Sequence, residues 1–144
     1  MIVVDTNLIG YLHLAGPNAE LAERVLRQDP DWAAPILWRS EMRNVLALYL
    51  RQGLLTLDQA LAVMDAASDV MRHGEYEVAS HAVLRLAQQS RCSAYDCEFV
   101  ALAEDLRTRL VTSDKKLLAA FPELAVSPQA FSAQDPTNPD GQSA

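Results

Sequence analysis

The chain is poor in the residues that soft metals and disulfide frameworks require. It has two cysteines, Cys92 and Cys97, and three histidines in 144 residues. The cysteines are not a C-x-x-C pair, and His13, His73 and His81 lie far from them, so zinc and a disulfide framework are both poorly supported. Reduced thiols in a cytoplasmic protein are the simpler reading. No apolar run approaches the ~20 residues that cross a membrane. The N-terminus has no basic start and meets Asp5 almost at once, so a signal peptide is not expected. Positive charge is also scarce. Twelve Lys and Arg face 19 Asp and Glu, giving a formal net charge of −7 and a pI near 4.8. A protein that grips a nucleic-acid backbone over a broad face is normally basic. Any such contact therefore has to be confined to a small site with local cations or bound metal.

Apolar residues, by contrast, make up 50% of the chain, enough for one domain with a real core. We expect that domain over residues 1–131, followed by a disordered tail from Ser132 that is rich in Ser, Asp, Pro, Gly and Asn. Ile2 to Val4 reads as a buried strand, and Leu8 to Leu14 as a short helix stopped at Gly16-Pro17. Asn18 can cap a helix to about Gln28. A weaker strand covers Trp32 to Leu37, with Pro35 suited to its terminus or an edge. Trp38, Met42, Val45, Leu46 and Tyr49 form the stripe of a helix from Trp38 to Gln52, ended by Gly53. Thr56 and Gln59 form a capping box for the next helix, on which Leu57, Leu61, Met64, Ser68 and Met71 share a face that His73-Gly74 closes. A helical pattern from Val78 to Ser90 follows. Ser93 then opens a helix to Leu106, Leu110 to Thr112 is strand-like, Asp114 to Ala120 is a short helix, and Ala125-Val126 is a last strand. Strands separated by helices imply an α/β fold with a mostly parallel sheet covered on both faces.

Four acids occupy costly places in this pattern: Asp5, Glu41, Asp96 and Asp114. Asp5 and Asp114 follow apolar runs at carboxyl ends of strands, where sites form in parallel sheets. Each also fits a turn or helix cap, although Thr6 or Asn7 can cap the first helix without Asp5. At roughly 100° per residue, Glu41 lies about 60° from the centre of its helix's apolar stripe, a boundary position. Asp96 projects from the arc of Phe99, Val100 and Ala103, whereas Glu98 falls toward the other side and reads as solvated. Asp96 also completes a capping-box spacing with Ser93, a role compatible with facing a cleft. Four carboxylates meeting in a cleft raise one another's pKa values, and Mg²⁺ or Mn²⁺ relieves that repulsion and suits phosphate chemistry.

VVDTN at the N-terminus, SEMRNVL, SAYDCEFVALAEDL and LVTSDKKLL together resemble the signature segments of PIN-domain ribonucleases, and most of all the VapC-type toxins of prokaryotic toxin–antitoxin pairs. The resemblance runs from residue 1 to about 126. It implies a PIN-like three-layer α/β/α sandwich and a metal-dependent endoribonuclease using Mg²⁺ or Mn²⁺. It makes Asp5, Glu41, Asp96 and Asp114 the metal-binding and catalytic set, supported by Thr6, Asn7, Asn44 and Thr112. Cys97-Glu98 departs from the smaller or apolar residues common there and bears on the rim. The flanking Arg39, Arg43, Lys115 and Lys116 are candidates to hold neighbouring phosphates. A homodimer, an RNA substrate and a small antitoxin whose tail covers the cleft are also implied. The helices at Trp38–Gln52 and Thr56–Arg72 are the candidate docking surface, or else core. A HAD-type phosphatase requires a second Asp where Asn7 stands, and a receiver domain requires an acidic pair after the first strand, so both fit less well. A PIN fold kept only for binding has no need of intact carboxylates.

Overall fold

Short apolar, β-branched runs at Ile2–Val4 and Leu110–Val111 form the centre of a five-stranded sheet in the computed structural model, which describes residues 1–134. The strands are β1 (Ile2–Val4), β2 (Trp32–Pro35), β3 (Glu75–Tyr76), β4 (Leu110–Val111) and β5 (Ala125–Val126). All pairings are parallel and the spatial order is β3-β2-β1-β4-β5. β1 aligns Val3 with Leu110 and Val4 with Val111. The chain builds outward from β1 on one side, then returns to add β4 and β5 on the other. The strand order therefore reverses between β1 and β4, the place where a parallel sheet opens a crevice at its carboxyl edge.

The helices are α1 (Thr6–His13), α2 (Ala19–Gln28), α3 (Trp38–Arg51), α4 (Leu57–Val70), α5 (Ser80–Ser90), α6 (Ala94–Asp105), α7 (Lys115–Ala120) and α8 (Pro128–Ala133). Every residue of β1, β2, β4 and β5 is buried, as strands covered on both faces require. α6 packs on β1, β2 and β4 and is itself covered by α5, while α1 packs on α2, α3 and α4. Trp38, Met42 and Leu46 bury the core side of α3, and Gly53 ends that region in the left-handed conformation at φ 71°. Pro35 is the last residue of β2, where its missing N–H costs no ladder bond.

Several expectations need correction. β3 is an additional strand, and Gly74 serves it rather than simply stopping α4. A Cβ on Gly74 would lie 1.8 Å from the Trp32 carbonyl oxygen, so only glycine lets this segment pass β2. The buried positions of α4 are Ala60 and Ala67, followed by the buried Met71, while Leu57 and Leu61 are exposed. α8 extends ordered structure to Ala133 with Ser132 buried, so the tail does not begin at Ser132. Residues 135–144 of that expected tail lie outside the described residues. Cys92 and Cys97 are both buried and unbridged. Among the described residues, no helix is long and apolar enough to cross a membrane.

Candidate active site

The four acids arrive from four different elements. Asp5 follows β1 and caps α1, accepting the Leu8 N–H at 2.9 Å on Oδ1. Asp5 itself is thus the cap, and α1 begins at Thr6. Its Oδ2 accepts the Thr112 hydroxyl at 2.6 Å and the Ser113 N–H at 3.3 Å. Thr112 Oγ1 in turn accepts the Asp114 N–H at 3.0 Å, so one hydroxyl ties the ends of β1 and β4 together. Asp114 caps α7 through Oδ1, which takes the N–H groups of Lys116 at 2.8 Å and Leu117 at 3.1 Å. Glu41, in the first turn of α3, accepts the Thr6 hydroxyl at 2.8 Å on Oε1. Asp96 sits in the first turn of α6, where its N–H donates to Ser93 Oγ at 3.0 Å. Only that half of the capping box forms, and the Asp96 carboxylate takes no hydrogen bond from the described residues.

Together these residues line one cleft of about 230 Å³ at the carboxyl edge of β1 and β4. Asp5, Glu41, Asp96 and Asp114 all reach it, as do Thr6, Asn7 and Asn44, above a floor of Val45, Phe99 and Leu117. Of these, Val45 and Phe99 were legible in the sequence only as members of apolar helix faces. Thr112 is fully buried behind Asp5 and acts on the cleft through it. Arg39, Arg43, Lys115 and Lys116 do not line the cleft. Arg39 is held by Glu75 through Nη2 at 2.8 Å and Nε at 3.1 Å, so it is not a free phosphate contact. Arg43 bonds the Arg39 carbonyl, and both lysines are exposed at the start of α7.

Burial pushes the Asp5 carboxyl above its ordinary pKa, the bonds from Thr112, Leu8 and Ser113 pull it back, and the Asp114 charge adds to the rise. Glu41 is also raised, first by burial and then by the charges of Asp96, Asp5 and Glu98, against the lowering effect of Thr6. Glu98 is therefore near enough to act on Glu41, and it is partly buried with a raised pKa of its own. It is not the solvated residue that helical phase suggests. For Asp5 and Glu41, burial is a larger cause of the rise than repulsion from the neighbouring acids.

The donor set is all oxygen, which selects hard cations over zinc or copper. Among the described residues, no three His, Cys, Asp or Glu side chains close on one point as direct ligands of a single ion. Magnesium does not require that, because it keeps several waters and binds through one or two carboxylates plus phosphate. Glu41 Oε2, Asp114 Oδ2 and both Asp96 oxygens have no hydrogen-bond partner among the described residues and are available for such a role.

Known proteins resemble this chain in sequence and fold. The model of the PIN domain matches residues 2–124. Ribonuclease VapC3 of Pyrobaculum aerophilum is 32% identical over 127 residues, covering 85% of this chain and 96% of that protein. The crystal structure of the Pyrobaculum aerophilum protein PAE2754 superposes with a TM-score of 0.70 at 22% identity, over 91% of this chain and 92% of the other. A toxin–antitoxin complex from Klebsiella pneumoniae gives a TM-score of 0.67 at 20% identity, over 89% of this chain and 98% of the other. With the match spanning β1 through α7 and the parallel sheet ordered as described, the chain belongs to the PIN-domain family.

Proposed function

We propose that the protein is a Mg²⁺- or Mn²⁺-dependent endoribonuclease and the toxin of a type II toxin–antitoxin pair. One observation carries the reading: four carboxylates from four elements meet in a single cleft at the switch point of the sheet. The similarity to a protein named as a VapC ribonuclease supports the substrate class. One or two of Asp96, Glu41 and Asp114 would hold the ion directly with their free oxygens and the rest through its waters, and Asp5 would complete the negative wall. Bound there, the ion would supply positive charge at the scissile phosphate and lower the pKa of a bound water, so that loss of its proton yields the nucleophile near neutral pH. The chain's own contribution is positional. Thr112 and Ser113 fix Asp5, Thr6 fixes Glu41, and the α7 cap fixes Asp114. Asp96 is the carboxylate least committed to the protein, which suits it to orient or deprotonate the water. Asn7 and Asn44 offer neutral donors at the rim. The exposed Arg43, Lys115 and Lys116 lie outside the cleft, where neighbouring phosphates would pass.

The same reading assigns partners. Leu48, Leu54, Leu57 and Leu61 are exposed on the α3–α4 hairpin, a surface for an antitoxin or a second copy of the chain. Unbridged buried thiols fit a cytoplasmic protein. Purified protein should cleave RNA in Mg²⁺ or Mn²⁺ and stop in excess EDTA. Expression should arrest growth, and co-expression of the adjacent reading frame should relieve it. Cleavage undiminished by EDTA contradicts the metal assignment. A wild-type chain that cleaves RNA yet is harmless on expression points to a housekeeping nuclease instead.

A further inference from the structure

Beside the acidic cleft lies a second hollow of about 240 Å³, formed by α1, the α1–α2 loop and α3. The two share Thr6, Asn7 and Val45 as a common wall, so one ligand can occupy both. Their chemistry differs sharply. Four carboxylates line the first, whereas no charged side chain lines the second. Its walls carry the rings of Tyr11 and Tyr49 and the apolar Leu14 and Met42. Its polar atoms include the amides of Asn7 and Asn18. Asn18 stands at the N-cap position of α2 but makes no side-chain capping bond, which leaves its amide uncommitted.

The hollow offers a phosphate no cationic side chain, and an ammonium or guanidinium group finds the carboxylates next door more attractive. A flat, uncharged ring with a polar edge matches it better. Its faces can lie on aromatic and apolar walls while its edge meets amide donors and acceptors. The volume is below the roughly 300–1,000 Å³ that encloses a drug-sized ligand, so it suits one ring system. We propose that this hollow is a nucleobase subsite that takes an unpaired base adjoining the phosphate held at the carboxylates. The proposal rests on the nuclease reading and specifies it. A stacked base inside a duplex cannot enter, so the base taken has to be unpaired when it binds.

Two measurements on the full chain test this. The first follows backbone amides of Asp96→Asn by NMR in Mg²⁺, titrated with single-stranded RNA tetranucleotides and their abasic counterparts. Gly10 and Gly16, both on the wall of the hollow, should shift with intact RNA, and the shifts should vanish when one particular base is removed. The second compares wild-type cleavage of oligonucleotides made abasic at each position. Removing the base that enters the hollow should slow cleavage about tenfold, and that ratio should fall toward unity in Tyr49→Leu and in Asn18→Ala. Equal cleavage at every abasic position, with Gly10 and Gly16 unmoved, overturns the subsite and leaves the nuclease reading intact. Base-dependent shifts without wild-type cleavage keep the subsite and overturn the nuclease reading. RNA that neither shifts these amides nor is cleaved overturns both. Saturation of the same amides by the product of the adjacent reading frame, but not by RNA, gives the hollow to a protein segment and overturns the proposal.

Discussion

Thr112 is fully buried and serves two groups at once, donating to Asp5 Oδ2 and accepting from the Asp114 N–H. Thr112→Val keeps its shape and removes both bonds. We expect a loss of about 1–3 kcal/mol in urea unfolding, largely restored in Thr112→Ser, with cleavage falling further than stability alone explains. Glu41 makes a prediction with a sign. Its folded pKa is raised, chiefly by burial, so charging it works against the fold. The stability tied to its protonated form is complete below the unfolded pKa and is lost as pH rises through the folded one. Glu41→Gln retains the acceptor for Thr6 and should raise the metal-free melting temperature at neutral pH. That gain should shrink as pH falls through the carboxylate range, and Mg²⁺ should also reduce it. A gain that grows on acidification contradicts the account. At this scale the sequence revealed Asp96 through its helical phase. It misled on Glu98, because α6 buries Cys97 and every residue from Phe99 to Ala103, leaving its middle turns no solvent side. Periodicity cannot sort the faces of a helix that is buried nearly all round.

Between elements, the closest approach is Gly74 against β2. Gly74→Ala places a methyl group into the Trp32 carbonyl and should cost about 3 kcal/mol or more, seen as a lowered melting temperature or insoluble protein. A melting temperature within a degree of wild type contradicts this packing. β3 itself was not legible, since Glu75 and Tyr76 are two partly buried residues with no period to detect. On α4 the apolar phase was misread for a different reason. Small alanines, Ala60 and Ala67, bring the helix close to its neighbours, while the larger Leu57 and Leu61 face outward. Hydrophobicity ranks the leucines first and steric fit selects the alanines. The double substitution Leu57→Ser and Leu61→Ser should therefore change unfolding free energy by only about 0.5 kcal/mol per site. It should weaken self-association in sedimentation, or antitoxin capture, much more. A loss of about 2–5 kcal/mol would instead mark these leucines as core.

For the whole molecule, the gathered carboxylates sit in a chain whose formal net charge is −7. The sheet reverses its strand order between β1 and β4 and sets Asp5 and Asp114 side by side, while α3 and α6 bring in Glu41 and Asp96. The alternation of strands and helices, and the placing of acids at strand ends, were both readable from the chain. The hollow beside the cleft was not, because three of the five residues of the α3 stripe reach it: Met42, Val45 and Tyr49 line the hollow while Trp38 and Leu46 fill the core. Asp96 gives the most direct test of the central claim, since its carboxylate makes no hydrogen bond to the described residues and its N–H keeps the Ser93 cap in any variant. Asp96→Asn should hold the wild-type circular dichroism spectrum and melt within about 2 °C of wild type without metal. In the same samples, Mg²⁺- or Mn²⁺-dependent RNA cleavage should fall about a hundredfold or more. Cleavage at the wild-type rate by this folded variant would contradict the assignment of the carboxylate cleft as the ribonuclease site.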